Sequence, residues 1–403
     1  MEPLAIHGGP PVRKAPYPDW PVFGVEEQRQ LTAALYSGKW GGTGERRTGE
    51  RPVIEELEER FARFHDAAYG VTLVNGTMAI LVALQAAGVK TGDEVIMPPY
   101  TFIATASAPL LFGAIPVFVD VEEETLLLDP DKVESAITPR TKAIIAVHIA
   151  GAVADMTRLK DLADSYGLAL IEDAAQAHGA QWEGKGVGAL GHLGIFSFQS
   201  SKNMTAGEGG IILSNDRERI DRAWSLANVG RVRGGGWYQH ERIGWNLRMT
   251  EFQASILLAQ LDRLKEQLHL REKNAALLEE LLGKVEGIRL IRRDPRVTRH
   301  AYHLYMFCLS PDRMRKASLS KFIRAVQAEG VPVVPGYPPL NRNPSVLRSI
   351  RDWAGEDRLQ SCPVAEELAD RQVMWLKQPI LLTDGQGIRD VARAVEKVAA
   401  WYR

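Results

Sequence analysis

From residue 71 to residue 227 short apolar runs alternate with helical stretches, and that alternation restricts the possible folds more than any other feature. The runs are Val71–Val74, Val95–Met97, Val117–Val119, Ala143–Val147, Leu168–Ile171, Ile195–Phe198 and Gly210–Leu213. Segments with helical spacing of apolar residues separate many of them, at Met78–Ala87, Asp131–Ile137, Thr157–Tyr166 and Arg217–Ala227. Strands that are apolar on both faces need cover on both faces, which a parallel sheet with crossover helices provides. The expectation is therefore α/β, with a seven-stranded, mostly parallel sheet sandwiched by helices in one large domain.

The flanking segments are less regular. An N-terminal arm runs to about Pro21. Helices are expected at Val25–Leu35 and Pro52–Ala67, with the glycine-rich loop GKWGGTGERRTGE between them. After the sheet comes a helical pair, Glu251–Leu268 and Glu272–Val285. A strand at Tyr302–Leu309 and helices at Leu319–Glu329 and Ile388–Trp401 then suggest a smaller α+β domain. The arm and large domain are placed at residues 1–265, and the small C-terminal domain at 266–403.

Charge and cysteine content narrow the function classes. With 49 basic and 50 acidic side chains, the chain has no general attraction to nucleic acid or anionic membrane. Cys308 and Cys362 are the only cysteines, so a disulfide framework is excluded and a reducing, cytoplasmic setting is expected. The first twenty residues contain no apolar core of signal-peptide length. Val95–Val119 carries no charge and is long enough to cross a bilayer, but four prolines interrupt it. It reads as protein interior.

Three local patterns could carry chemistry. VTLV leads through Asn75-Gly76-Thr77 into an apolar helix, a strand-to-helix turn whose free N–H groups suit a phosphate, although every α/β unit contains such turns. The apolar run LALI ends in Glu172-Asp173, followed by small residues and Gln176. An acid at that strand end is either a helix cap or a charge held for a ligand. Lys202 follows the strand IFSF and precedes a glycine-rich turn. A lysine shielded there loses its proton more readily, and its neutral amine suits Schiff-base chemistry. Together the three describe a site for pyridoxal phosphate (PLP), with partners for phosphate, pyridine nitrogen and aldehyde carbon. By contrast Gly186-Val-Gly188-Ala-Leu-Gly191 fits a dinucleotide motif in form only. It lacks the preceding strand and following helix, and it reads as a turn-rich hairpin.

The segment SFQSSKNMTAGEGG, with EDAAQAHGA before it and GWNLRMTEFQASILLAQL after it, resembles the DegT/StrS family of PLP-dependent sugar aminotransferases. PPYTFIATASA fits the same family. The resemblance implies the aspartate-aminotransferase type of fold and a homodimer with shared active sites. It implies that Lys202 carries the cofactor as the internal aldimine and that Asp173 keeps the pyridine nitrogen protonated. Gln176 corresponds to the residue beside the ring and its phenolic oxygen, and Phe102 to the aromatic that stacks on it. Gly76, Thr77 and Ser197 correspond to phosphate contacts. Asn246 corresponds to an asparagine that reaches the phosphate from the neighbouring subunit. Lysine rather than histidine at position 202 favours transamination over sugar dehydration. The implied reaction is a ping-pong transfer from glutamate or glutamine to a keto-sugar, nucleotide-linked, or a keto-cyclitol. The opening GGPPVRKAPYPDWP and YHLYMF resemble the cyclitol and aminohydroxybenzoate branch more. A PLP-dependent lyase or dehydratase, and a non-catalytic regulator on the same fold, remain open.

Other features weigh less. Many relatives carry a polar residue near Val153, where GAVADM has none. His300 and His303 come without a metal-binding pattern, so no metal is expected. The loop bearing Arg231, Arg233 and Arg242 either closes over the site or is a solvated loop. The basic run Arg289–Arg299 reads as solvated surface. VPGYPPLNRNP either faces the site or is an ordered connection.

Overall fold

The computed structural model describes residues 2–41, 51–314, 317–355 and 360–403. Residues 42–50 of the glycine-rich loop lie outside them. The chain opens with α1 (Val25–Ser37) and α2 (Val53–Phe64). Then come β1 (Tyr69–Leu73), α3 (Gly76–Ala86), β2 (Glu94–Met97), α4 (Ala104–Leu110), β3 (Ile115–Phe118), α5 (Pro130–Val133), β4 (Thr141–Val147), α6 (Met156–Tyr166) and β5 (Ala169–Asp173). A hairpin of β6 (Gln181–Trp182) and β7 (Lys185–Gly186) precedes β8 (Leu193–Ser197), β9 (Gly210–Ser214) and α7 (Arg217–Ala227).

The main sheet has the order β1-β9-β8-β5-β4-β2-β3. Pairs β8/β5, β5/β4, β4/β2 and β2/β3 are parallel, while β9 is antiparallel to both β1 and β8. Only β9 runs against the rest, so the sheet is mostly parallel, with helices on both faces as the apolar strands require. The uncharged stretch Val95–Val119 becomes β2, α4 and β3, and both strands are buried along their length. Among the described residues no helix is long and apolar enough to cross a membrane.

The expected helical pair is instead one helix, α8 (Glu251–Leu282), of 32 residues. Arg271 lies at the expected break between the two, a charged residue within the apolar stripe. It holds a core position in helical register, since the buried residues run Leu264, Leu268, Arg271, Ala275, Leu278 and Leu282. No glycine or proline interrupts the stretch. Arg271 is completely buried, and Nε and Nη2 donate to Gln378 Oε1 at 3.0 and 2.6 Å. The division at 265/266 falls within this helix.

Beyond α8 come β10 (Ile288–Leu290), β11 (Val297–Arg299), β12 (Leu304–Leu309), α9 (Leu319–Ala328), β13 (Val334–Pro335), α10 (Pro344–Ala354), α11 (Pro363–Arg371), β14 (Val373–Lys377) and α12 (Gly385–Tyr402). Four of these strands form a second sheet in the order β10-β12-β14-β13, while β11 joins the β6/β7 hairpin. Two cores result. The first is the large sheet with its helices, and it also takes in Leu340, Ile350, Cys362, Leu368 and Trp375 from the C-terminal third. The second contains Ala275, Leu278, Phe307, Phe322 and Val395, and Leu4 of the N-terminal arm is buried in it. The basic run is more tied down than its composition suggested. Arg292 pairs with Glu124, and Arg296 pairs with Asp155 at 2.7 Å.

Candidate active site

A cavity of about 570 Å³ lies at the carboxyl ends of the parallel strands, where ligands bind in open α/β sheets. Seven of the eight expected site residues line it: Gly76, Thr77, Phe102, Asp173, Gln176, Ser197 and Lys202. Their positions follow from local structure. Asp173 ends β5, Ser197 ends β8, and Gly76 opens α3 directly after β1.

The turn carrying Lys202 is held by its own backbone. Lys202 N–H donates to Gln199 O at 2.9 Å, and Thr205 Oγ1 donates to Phe198 O at 2.9 Å. The Lys202 amine itself has no hydrogen-bond partner among the described residues. Burial lowers its pKa from the ordinary 10.5 to about 8, and the Asp173 charge only partly opposes this. Asp173 is buried in turn, and desolvation pushes its carboxyl above the usual range. Thr105 Oγ1 donates to Asp173 Oδ2 at 2.8 Å and Ala175 N–H donates to Oδ1 at 3.3 Å, which fixes the carboxylate's orientation. Because the Thr105 proton goes to Asp173, Thr101 is the donor in the 3.0 Å contact between the two threonines.

The strand-to-helix turn has the geometry of an anion cradle. Asn75 caps α3 by accepting from Met78 N–H at 2.9 Å, which leaves the amides of Gly76 and Thr77 unpaired. A Cβ at Gly76 would stand 2.8 Å from Ser197 Cβ, so only glycine lets the helix start against the end of β8. Phe102 is 51% exposed and presents its ring to the cavity. Gln176 Oε1 accepts from Ala150 N–H at 2.7 Å, and its Nε2 lies 3.4 Å from the Tyr337 hydroxyl. Tyr337, from the loop VPGYPPLNRNP, packs on Trp375 with ring centroids 4.4 Å apart. That loop therefore does face the site.

Several expectations resolve away from the cavity. Asn246 is exposed and does not line it. Neither do Arg231, Arg233 and Arg242; Arg233 pairs with Asp221 at 3.1 Å and Arg242 with Glu241 at 2.6 Å. Val153 is buried elsewhere. The dinucleotide look-alike has an occupant already. The amides of Gly188, Leu190 and Gly191 each donate at 2.8 Å to the buried Glu172 carboxylate, which also receives His148 Nε2–H at 3.1 Å. His300 stacks on Tyr302, and no metal-binding cluster occurs among the described residues.

The model of the DegT/DnrJ/EryC1/StrS aminotransferase family matches residues 22–396. The chain belongs to that family. It is accordingly a PLP-dependent aminotransferase, and its relatives act on sugars or cyclitols. It is 40% identical to an L-glutamine:2-deoxy-scyllo-inosose aminotransferase of Streptomyces kanamyceticus, over 98% of this chain and 96% of that one. It is 36% identical to the 3-amino-5-hydroxybenzoate synthase of Amycolatopsis mediterranei (strain S699), over 96% of this chain and 99% of that one. The crystal structure of an aminotransferase from Psychrobacter cryohalolentis superposes with a TM-score of 0.87 at 32% identity, over 96% of this chain and all of that one.

The family member's cavity also contains residues that the motifs did not single out, notably Thr101, Thr105, Tyr337 and His303. Thr101 and Thr105 were legible, since they flank Phe102 four residues apart. His303 was weighed only as a metal ligand.

Proposed function

We propose that this aminotransferase moves the amino group of glutamine to the ketone of an inosose-type cyclitol, in two half-reactions that share one cavity. The reading is carried by one observation: an unpaired, easily deprotonated Lys202 amine shares a cavity with the buried Asp173 carboxylate. The names of full-length relatives supply the substrate class. Glutamate is the alternative donor, and a nucleotide-linked keto-sugar the alternative acceptor.

The residues fit pyridoxal phosphate. Two free amides at Gly76 and Thr77 beside the Ser197 hydroxyl match a phosphate, and a Cβ at Gly76 would close that space. When bound, the cofactor supplies the electron sink that makes a proton on the amino-bearing carbon removable. The protein's own groups do the rest. Lys202 would hold the cofactor covalently through Nζ, and the same amine, when free, would move the proton of the donor's amino-bearing carbon. Asp173, held by Thr105 and Ala175, keeps the pyridine nitrogen protonated. Phe102 would cover the ring, and Gln176 would stand beside its phenolic oxygen. Exposed Asn246 completes the phosphate site of a second copy of the chain, which accounts for its absence from its own cavity.

Half-reaction spectra test the reading. The PLP-loaded protein should convert stoichiometrically to its pyridoxamine form with glutamine or glutamate, and an inosose should reverse the change. Lys202→Ala should abolish borohydride trapping of the cofactor. Spectra that respond to the acceptor but to neither amino acid would replace this reading with a lyase or dehydratase. A protein that stays colourless with PLP would point to a regulator.

A further inference from the structure

Resting on that reading, we propose that His303 positions the acceptor substrate, its Nε2 lone pair taking a hydrogen bond from a ring hydroxyl next to the reacting ketone. His303 lines the cavity with Lys202, yet it is the residue just before β12 and is 5% exposed. Its tautomer is set by a neighbour. Asn203 Nδ2 donates to Ala301 O at 2.7 Å, so the Asn203 amide oxygen is the end turned to His303, and it accepts Nδ1–H at 3.0 Å. Nε2 is then an acceptor, with no partner among the described residues. Gln378 N–H donates to His303 O at 3.1 Å, which pins the backbone at the same point.

The ring stays neutral, because burial and the Lys202 charge hold it well below the usual histidine range. A neutral, fixed acceptor suits one kind of partner. A cyclitol hydroxyl has a proton to give, whereas the α-carboxylate of the amino donor has only lone pairs to set against Nε2. Both substrates must use this cavity in turn, so His303 favours the acceptor without gripping the donor. The Tyr337 hydroxyl in the same cavity, kept protonated by burial, offers the complementary O–H.

Half-reaction kinetics on His303→Phe and His303→Gln holoenzymes test this. With His303→Phe the glutamine half-reaction should stay within about twofold of wild type, while KM for the inosose should rise about five- to tenfold, the effect of one neutral hydrogen bond. His303→Gln, whose amide oxygen can accept, should recover most of that loss. Calorimetric binding of an unreactive inositol to the pyridoxamine form should weaken by the same factor. A third arm compares an inosose with its analogue lacking the adjacent hydroxyl. Wild type should lose about five- to tenfold with the analogue and His303→Phe nothing, and wild type losing nothing overturns the proposal even if the variant does not fold. A donor half-reaction that collapses in His303→Phe, with its fold intact by circular dichroism, would reassign the contact to the glutamine carboxamide. Failure of wild type to form pyridoxamine with either amino acid would instead remove the transaminase reading, and the role of His303 with it.

Discussion

A lysine amine attacks only after losing its proton, so the surroundings of Lys202 decide the pH at which the apoprotein can take up its cofactor. Burial holds that pKa near 8. The rate of covalent PLP capture should therefore rise with pH through about 8 and level off above it. Stopped-flow absorbance of apoprotein mixed with PLP measures this, and a midpoint near the ordinary 10.5 would show that the amine is solvated. Such residue-level chemistry was partly legible in the sequence. Gly76, Asp173 and Lys202 sit at strand ends, where a few neighbouring residues fix their surroundings. His303 was not, because it comes from beside the second sheet, and Tyr337 was legible only as part of a loop that either faced the site or was an ordered connection. His303 lies 100 residues beyond Asn203, and only packing of the two cores brings their rings and amides together.

At the scale of elements, the turn after the β6/β7 hairpin shows how a motif can have the right spacing and a different purpose. Its amides converge on Glu172, one residue before Asp173, so the turn braces the strand end that carries the site. Glu172→Gln would set its amide NH2 against two of four donors, either Leu190 and Gly191 or Gly188 and the His148 ring. The His148 ring has little freedom to adapt, because its Nδ1 accepts from Ala154 N–H at 3.3 Å. The substitution should lower the unfolding free energy by about 1–3 kcal/mol in urea titrations. Unchanged stability would show that the nest is dispensable. Helix α8 gives the converse case. It was expected as two helices, although the spacing on either side of Arg271 keeps a single register. Strands and helices of the sheet were readable because each is short, apolar and bounded by turns, whereas Arg271 is buried for reasons that lie on Gln378.

For the whole molecule, buried histidines set the response to acid. His65, His178, His300 and His303 all have pKa values below the ordinary 6.5, with desolvation the main cause, and His65 and His300 are held near 3. The unfolded chain therefore binds more protons between pH 6.5 and 3, and stability falls as pH falls through that window. For the fully buried His65 alone the effect is on the order of 4 kcal/mol. Glu58, pushed up to about 7, and Asp173 act in the opposite sense. Half-buried His192, also held below 6.5 by desolvation, and Glu27, held near 2 by Arg263, act with the histidines. Urea midpoints measured from pH 7 to pH 4 should decline steadily, and a flat or rising profile would contradict the sign.

The interleaving of the two cores has a consequence for the order in which this protein can be made. Leu4 leaves the ribosome well before its seat, which is built from residues 275–399. Conversely, the core around the sheet that houses Lys202 lacks Trp375 until well over half of that core has been made. The segment around Leu4 must therefore wait, without its core, until the residues from 275 onward have been made.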